Sequence, residues 1–265
     1  MPGVADRRPL LPLVVAILIG SLVPSLVACV ALPPPYREAP DYPVRFADVE
    51  AITLIPPLVS VYSMSSGNVE QEVQEWSDAV YAQSLDAVRD QIEAMGKRFV
   101  PFAGAQGPRP DFRVGTLDAN APKPSTPANE SWLLFESAKE SILRHTYDPV
   151  QIFPDQMKSF EYTLGEASQA LLSGTEADAY LLMIATDSIP TGERTALIGV
   201  GAAATLYTGS YAGPGATPAE LTIALVDAPS GDILFFNRVS MPLSDLRDPA
   251  TNAKLIELVL KGMDR

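Results

Sequence analysis

The stretch Ala179-Tyr-Leu-Leu-Met-Ile-Ala185 decides the fold, because an unbroken apolar run of this length is typical of a strand covered on both faces. Farther along the chain, Leu221–Val226 and Ile233–Val239 flank the turn sequence Asp227-Ala-Pro-Ser-Gly-Asp232. Proline and glycine in this turn favour the reversal of a hairpin. We therefore expect a central strand beside an antiparallel hairpin.

Segments with helical periodicity precede and follow these predicted strands in the sequence. Apolar residues spaced three and four apart predict helices over Val69–Met95, Asn129–His145 and Asp155–Leu171, and Asp248 caps a final helix with Pro249 in its first turn. Ala51–Ile55 and Leu58–Met64 are strand-like, and Pro56-Pro57 predicts an edge, a bulge or a break between them. The expected fold is α/β, a mixed sheet with a carboxy-terminal antiparallel hairpin, flanked by three to four helices in two or three layers.

The segment Thr195–Tyr211 is apolar and rich in glycine, and we interpret it as a strand. No charge occurs between Arg194 and Glu220 in a chain in which 19% of residues are charged, so an ordinary solvated edge is not expected there. Two alternatives stay open, since the segment could contact a membrane or be covered by a helix. The candidate partner-binding residues are Gly199, Val200, Gly201, Ala203, Leu206, Tyr207 and Tyr211.

The same glycines fit a loose dinucleotide fingerprint, Gly199-Val-Gly201-Ala-Ala-Ala204. That fingerprint has to open a helix whose amino end holds a pyrophosphate, whereas we expect this segment to continue as strand. We therefore expect no cofactor at this position.

The amino terminus has the order of a secretory signal. Arg7 and Arg8 precede the apolar run Leu10–Val23, and Leu26-Val27-Ala28-Cys29 matches a lipobox at all four positions and contains the one cysteine of the chain. The segment resembles that of a bacterial lipoprotein precursor. The resemblance implies that residues 1–28 are removed as a signal peptide and that Cys29 carries lipid. An uncut membrane-spanning helix and an inert thiol are the alternatives.

Prolines dominate the next stretch. We expect residues 29–45 to form a Pro-rich tether and residues 46–265 to form a single periplasmic α/β domain. Within that domain, residues 104–128 combine several prolines and glycines with few apolar residues, which predicts a long surface loop. Val30 follows Cys29 where an inner-membrane retention signal would usually place Asp, so the outer membrane is the expected location, with the domain facing the periplasm.

Composition excludes some classes of function. Lys and Arg number 19 against 32 Asp and Glu, for a formal net charge of −13, which argues against nucleic acid as a partner. The one histidine, His145, follows a predicted helix, where a cation is favourable for structural reasons alone. We find no nucleophile elbow and no metal-ligand cluster, so we expect no catalytic residue, no metal and no cofactor.

One resemblance concerns the mature domain. The strand Asp178-Ala-Tyr-Leu-Leu-Met-Ile184, the hairpin Leu221–Phe235 and the closing helix succeed one another as in the envelope lipoprotein domains related to the TolB amino-terminal domain and the curli-secretion lipoprotein. The chain resembles these domains over Phe46–Arg265 in order of elements. The resemblance implies a non-catalytic platform for partner proteins in transport, secretion or wall-synthesis complexes.

Two hypotheses of function follow. The first is a lipid-anchored cell-envelope protein that acts as a non-catalytic platform or auxiliary subunit, bound to membrane lipid through Cys29 and to envelope proteins or further copies of itself. The second is an envelope hydrolase or ligand-binding lipoprotein that uses residues 104–128 as a lid. An enzyme should bring titratable groups together in a cleft, whereas a platform should expose an apolar patch.

Overall fold

The computed structural model describes residues 35–102, 127–148, 150, 153–165, 175–209, 213–215 and 217–264. The signal segment, Cys29, Tyr211 and the predicted loop 104–128 lie outside the described residues.

Helices and strands are interspersed along the described chain. In chain order they are β1 (Tyr36–Glu38), α1 (Tyr42–Asp48), β2 (Ala51–Leu54), β3 (Leu58–Met64), β4 (Glu70–Glu72), α2 (Gln74–Ala94), β5 (Arg98–Val100), α3 (Pro127–Ile142), a π-helical turn (Leu143–Tyr147), α4 (Pro154–Lys158), β6 (Ala179–Pro190), α5 (Gly192–Thr208), β7 (Ala219–Asp227), β8 (Ile233–Met241) and α6 (Pro249–Leu260).

Strand β6 is the centre of an open, mixed sheet of eight strands. It pairs with β7 in antiparallel fashion from Ala179 to Thr186, and on its other side it pairs in parallel with β2 and then with β3. The order across the sheet is β1-β8-β7-β6-β2-β5, with β4 beside β3. The apolar run in β6 is buried on both faces, which confirms the expected central strand.

Helices cover both faces of the sheet. On one face α1, α2 and α6 bury residues such as Phe46, Val88 and Ile256. On the other face α3 contributes Trp132 and Phe135. The predicted α/β class, with a mixed sheet and a carboxy-terminal hairpin, is confirmed in a three-layer arrangement.

Local signals explain several element ends. Pro56-Pro57 separates β2 from β3, so the predicted interruption is a break between two strands that both pair with β6. In the β7–β8 turn Gly231 has a φ of 76°, and the Asp227 carboxylate accepts a hydrogen bond from the Ser230 amide. The Asp248 carboxylate accepts from the Thr251 amide and caps α6, as predicted.

Three boundaries expected from the sequence are wrong. The tether does not extend to residue 45, because Tyr36–Glu38 pairs with β8 and Tyr42 is fully buried on α1. The helix expected from Val69 begins at Gln74, since Glu70–Glu72 forms an edge strand instead. The helix expected from Asp155 ends at Lys158. Phe160 and Leu164 lie in the extended segment that follows, and both are buried.

The interpretation of Thr195–Tyr211 as a strand is also wrong. The described part of this segment lies in helix α5, which ends in a left-handed Gly209 whose amide donates to the Thr205 carbonyl. Alanine is the best helix former, and Ala202-Ala203-Ala204 together with Leu197 outweighs the helix-weakening glycines Gly199 and Gly201. Pairing of this segment as an edge strand is therefore excluded for its described residues.

Candidate functional site

Helix α5 differs from the other long helices because much of its apolar surface faces solvent. Leu197 is 46% exposed and Val200 is 66% exposed, and Gly199, Ala202 and Ala203 are exposed beside them. These five residues are called the α5 surface below. A soluble helix normally places polar residues on its solvent side, so a surface of this composition indicates an interaction site.

The structure places six of the seven sequence-predicted partner residues on one helix, α5. Gly199, Val200 and Ala203 belong to the α5 surface, whereas Gly201 is buried. Leu206 and Tyr207 lie in the last turns of α5, but their side chains are outside the described residues, as is Tyr211. Within the described residues, no other helix covers Leu197 or Val200, which contradicts the alternative of a covered segment at these two positions.

Arg194 fixes the beginning of α5. Its side chain is buried, and its guanidinium donates to the Asn68 side-chain oxygen, to the Ser65 carbonyl at 3.3 Å and to the Gly215 carbonyl at 2.7 Å. One charged group thus joins α5 to the β3–β4 turn and to the segment before β7. Because these acceptors are far apart in the sequence, no local pattern indicated this role.

A groove runs beside the amino-terminal turns of α5. It has a volume of about 290 Å³ and is lined by apolar side chains such as Met64 and Ile198 together with polar ones such as Arg194 and Asp245. Leu243 borders the groove, is 82% exposed and has a φ of 59°. A left-handed backbone is rare for leucine, so this strained turn holds a large apolar side chain in solvent. Leu243 is a surface residue that the sequence analysis missed.

His145 lies in the π-helical turn on a different part of the surface. Its Nδ1 is 3.1 Å from the Tyr162 hydroxyl, and its ring packs edge-on against Phe153 with the ring centroids 4.9 Å apart. A general base needs an orienting group and a nucleophile within reach. In the described part of the chain, the polar side chain that His145 contacts is the Tyr162 hydroxyl, which together with Phe153 gives the ring a packing role.

A carboxylate cluster connects α1 to the β7–β8 turn. The Arg45 guanidinium lies 2.8 Å from Asp227 and 3.0 Å from Asp232. Burial acts to raise the pKa of Asp232, but hydrogen bonds from Ser230 and Arg45 outweigh it and hold that pKa below its ordinary value. Because Arg45 bridges the two carboxylates, this cluster fastens the turn to α1.

Asp187 is a buried acid on β6. One carboxylate oxygen accepts from the Leu246 amide at 2.9 Å, while the other has no hydrogen-bond partner. Burial raises the pKa of Asp187. Its position holds the loop between β8 and α6 against the sheet.

Among the described residues, no group of three or more His, Cys, Asp and Glu side chains is arranged to hold a metal ion. Within the same ranges, no helix is both long enough and apolar enough to cross a bilayer.

Comparison with known proteins does not assign the chain to a family. No protein-family model and no curated protein matches the chain. Among solved structures, the chain is similar to the PelC dodecamer from Paraburkholderia phytofirmans, at 10% sequence identity and a TM-score of 0.33, over 81% of this chain and 87% of that one. At this TM-score the similarity carries no argument about function.

Proposed function

We propose that this chain is a lipid-anchored cell-envelope protein that works without catalysis, as an interaction platform or auxiliary subunit of an envelope transport, secretion or assembly complex. The observation that carries the proposal is the α5 surface, which exposes Leu197 and Val200 on a helix free of charge after Arg194. Exposed apolar surface costs free energy in water, so it indicates contact with another component.

The anchor is the second part of the proposal. Leu26-Val27-Ala28-Cys29 follows an apolar run, and acylation of its cysteine would hold the domain at a membrane, expected to be the outer membrane facing the periplasm. The candidate components that contact the α5 surface are then the bilayer, another envelope protein or a second copy of the chain in a homo-oligomer.

Several of the described ionisable side chains make structural contacts. Arg45 forms ion pairs with both Asp227 and Asp232, and Asp187 is enclosed beneath the Leu246 loop. An active site needs titratable groups that converge on an open cleft, and Arg45, Glu161 and Asp232 do line a cavity of about 570 Å³, which is the candidate cleft of the hydrolase or ligand-binding hypothesis.

Metabolic labelling tests the anchor. Labelled palmitate should enter the wild-type chain and be absent from Cys29→Ser, because that substitution removes the sulfur that would carry the lipid. Equal incorporation into both chains would refute lipidation at Cys29. Membrane fractionation of the same cells provides the second readout, with wild-type chain in the outer-membrane fraction and Cys29→Ser released.

A test of His145 separates the platform from the hydrolase. His145→Ala should leave the cellular function of the protein intact when abundance and folding are matched. Loss of function in a folded, abundant His145→Ala protein would favour an enzyme. His145→Phe, which keeps an aromatic ring against Phe153, is the matched control for packing.

A further inference from the structure

We infer that the cavity beside the start of α1 binds an organic ammonium ion, a small cation with an apolar body. The cavity has a volume of about 570 Å³ and lies among residues 39–45, residues 160–163 and the start of β8. It is called the α1 cavity below. Its volume falls within the range of about 300 to 1,000 Å³ that is usual for small-molecule sites. The inference concerns binding alone and does not depend on the proposed lipidation of Cys29.

The floor of the α1 cavity is apolar. Phe160 and Ile233 line it, and each is only 1% exposed, so both belong to the buried interior beneath the opening. Tyr162 also lines the cavity, and the centroid of its ring lies 5.0 Å from that of Phe160. Apolar and aromatic side chains at the bottom of a cavity suit the body of a ligand, and the face of an aromatic ring also attracts a cation.

Backbone hydrogen bonds hold one wall of the cavity in place. The Ile233 amide donates to the Tyr162 carbonyl at 2.8 Å, and the Leu164 amide donates to the Gly231 carbonyl at 2.8 Å. The segment 160–163 is thereby fastened along the start of β8. Because the wall is already fixed, a ligand does not have to order it, and less of the binding free energy is lost.

Carboxylates dominate the charge of the lining. Asp41, Glu161 and Asp232 line the α1 cavity together with Arg45. Burial acts to raise the pKa of Asp232, but hydrogen bonds from Ser230 and Arg45 hold that pKa below its ordinary value, so the group is ionised at neutral pH. The side chains that line the cavity therefore carry three negative charges against one positive charge.

Arg45 already has its anionic partners. One terminal guanidinium nitrogen lies 3.0 Å from Asp232, and the other lies 2.8 Å from Asp227 and donates to the Ser230 hydroxyl at 2.8 Å. An anionic ligand would have to displace one of these contacts and approach the remaining carboxylates. A cation is attracted by the same carboxylates, and the low-dielectric walls of a cleft concentrate their field.

The spacing of the carboxylates favours an organic cation over a metal ion. Among the described residues, no three acidic, histidine or cysteine side chains are grouped so that they could hold a metal ion. A primary ammonium group has three N–H donors and pairs strongly with carboxylates. Asp41 and Glu161 are exposed at the rim, where they can accept from the ammonium group while the body of the ligand covers the floor.

Phenethylamine is the probe, because it combines a protonated primary amine with one aromatic ring. Phenethyl alcohol is its neutral analogue, and hydrocinnamate is its anionic one. Calorimetry measures the binding of each compound to the full-length protein in detergent, with detergent alone as the blank. Isotope-labelled phenylalanine and tyrosine, observed by NMR, report whether the bound probe contacts Phe160 and Tyr162.

We expect phenethylamine to bind at least about tenfold more tightly than phenethyl alcohol, and hydrocinnamate to bind most weakly. This preference should shrink as salt is raised, since the rim carboxylates are exposed and their charges are screened. Equal affinity for the amine and the alcohol would overturn the inference, because charge would then not select the ligand. Tighter binding of hydrocinnamate, or no binding of the amine above the detergent blank, would also overturn it.

Glu161→Gln places the binding in the α1 cavity, because it keeps the size of the side chain and removes one rim charge. We expect phenethylamine to bind this variant several-fold more weakly than wild type. Glu193→Gln is the matched control, since it removes the same charge from an exposed position on α5. Strands β6 and β8 are both antiparallel to β7, so α5, which follows β6, begins at the opposite end of the sheet from the start of β8.

The melting temperatures of both variants should match that of wild type, which separates lost binding from lost folding. Equal weakening by Glu161→Gln and Glu193→Gln would mean that the amine responds to the net charge of the chain, and it would overturn the assignment to the α1 cavity. Bound amine that leaves the signals of Phe160 and Tyr162 unchanged would overturn it as well.

Discussion

The Tyr147 hydroxyl donates a 2.7 Å hydrogen bond to the backbone carbonyl of Pro35, where the described part of the chain begins. Arg37 strengthens this contact, because its guanidinium lies 4.2 Å from the centre of the Tyr147 ring and also donates to the Thr146 carbonyl. The π-helical turn thus fastens the short edge strand β1 at the point where the chain enters the sheet. Burial raises the pKa of Tyr147, so the phenol keeps its proton and remains a donor.

The first prediction removes that bond. Tyr147→Phe should destabilise the domain by about 0.5 to 1.5 kcal/mol, the usual net value of one hydrogen bond. Faster hydrogen exchange should be confined to β1 and the π-helical turn, because the ring and its packing remain. Exchange measured by mass spectrometry checks both statements.

Tyr81→Phe is the matched control. The Tyr81 hydroxyl is buried on α2 without a hydrogen-bond partner, so its removal should be neutral or stabilising. Equal destabilisation by the two substitutions would contradict the role assigned to the Tyr147 hydroxyl.

A second prediction concerns the root of α5. Arg194→Met keeps much of the apolar stem and removes the donors to Asn68, Ser65 and Gly215. We expect α5 to exchange its amide hydrogens much faster while β6 and β7 keep their protection, since the packing of those strands does not depend on Arg194.

Asn68→Gly separates this effect from the loss of charge. Asn68 has a φ of 59°, which glycine adopts readily, so the substitution removes one acceptor without straining the turn. Its effect on α5 should be smaller than that of Arg194→Met. Unchanged exchange of α5 in Arg194→Met would show that another contact holds the helix.

The sequence was sufficient to predict the central strands of the sheet, but it was not sufficient to predict that α5 is a helix. The apolar run of β6 and the turn sequence between β7 and β8 are local patterns, and the strand and the hairpin both form where these patterns predicted them. In Thr195–Thr208 the glycines and apolar residues are compatible with a strand or a helix. The segment forms a helix because alanine has a high helix propensity. The strand prediction gave too much weight to Gly199 and Gly201.

The candidate site shows a similar limit. Absence of charge in this segment was visible in the sequence, and Val200 and Ala203, two of the residues that it indicated, are exposed. Whether such residues are buried depends on tertiary packing, and apolar sequence is most often core. The contribution of Arg194 and of Leu243 could not be predicted, because one depends on distant acceptors and the other on a left-handed turn.

A third prediction uses the buried acid. Burial raises the pKa of Asp187 above its ordinary value of 3.8, so the folded state binds a proton more tightly than the unfolded chain. Its contribution to stability is therefore fully present below about pH 4 and is lost as the pH rises through the folded pKa. Asp187→Asn should become more stable relative to wild type as the pH is raised from about 4 to about 7.

Urea unfolding at several pH values measures this difference. Asp245 and Arg247 lie near Asp187 and are unchanged in the variant, so subtracting the two curves isolates the carboxylate. Asp90→Asn, at an exposed position on α2, controls for the replacement itself. A difference between Asp187→Asn and wild type that does not vary with pH would contradict the raised pKa.

The last prediction distinguishes an exposed helix from a core helix by comparing two valines. Val200 is 66% exposed on α5, whereas Val226 is fully buried on β7. Val200→Ala should change the free energy of unfolding by no more than about 0.5 kcal/mol, while Val226→Ala should cost roughly 2 kcal/mol. Val200→Glu should likewise keep the melting temperature, because the new carboxylate stays in water, yet it should weaken contact of α5 with an apolar partner. A large fall in melting temperature for Val200→Glu in the isolated, monomeric protein would mean that α5 is part of the core after all.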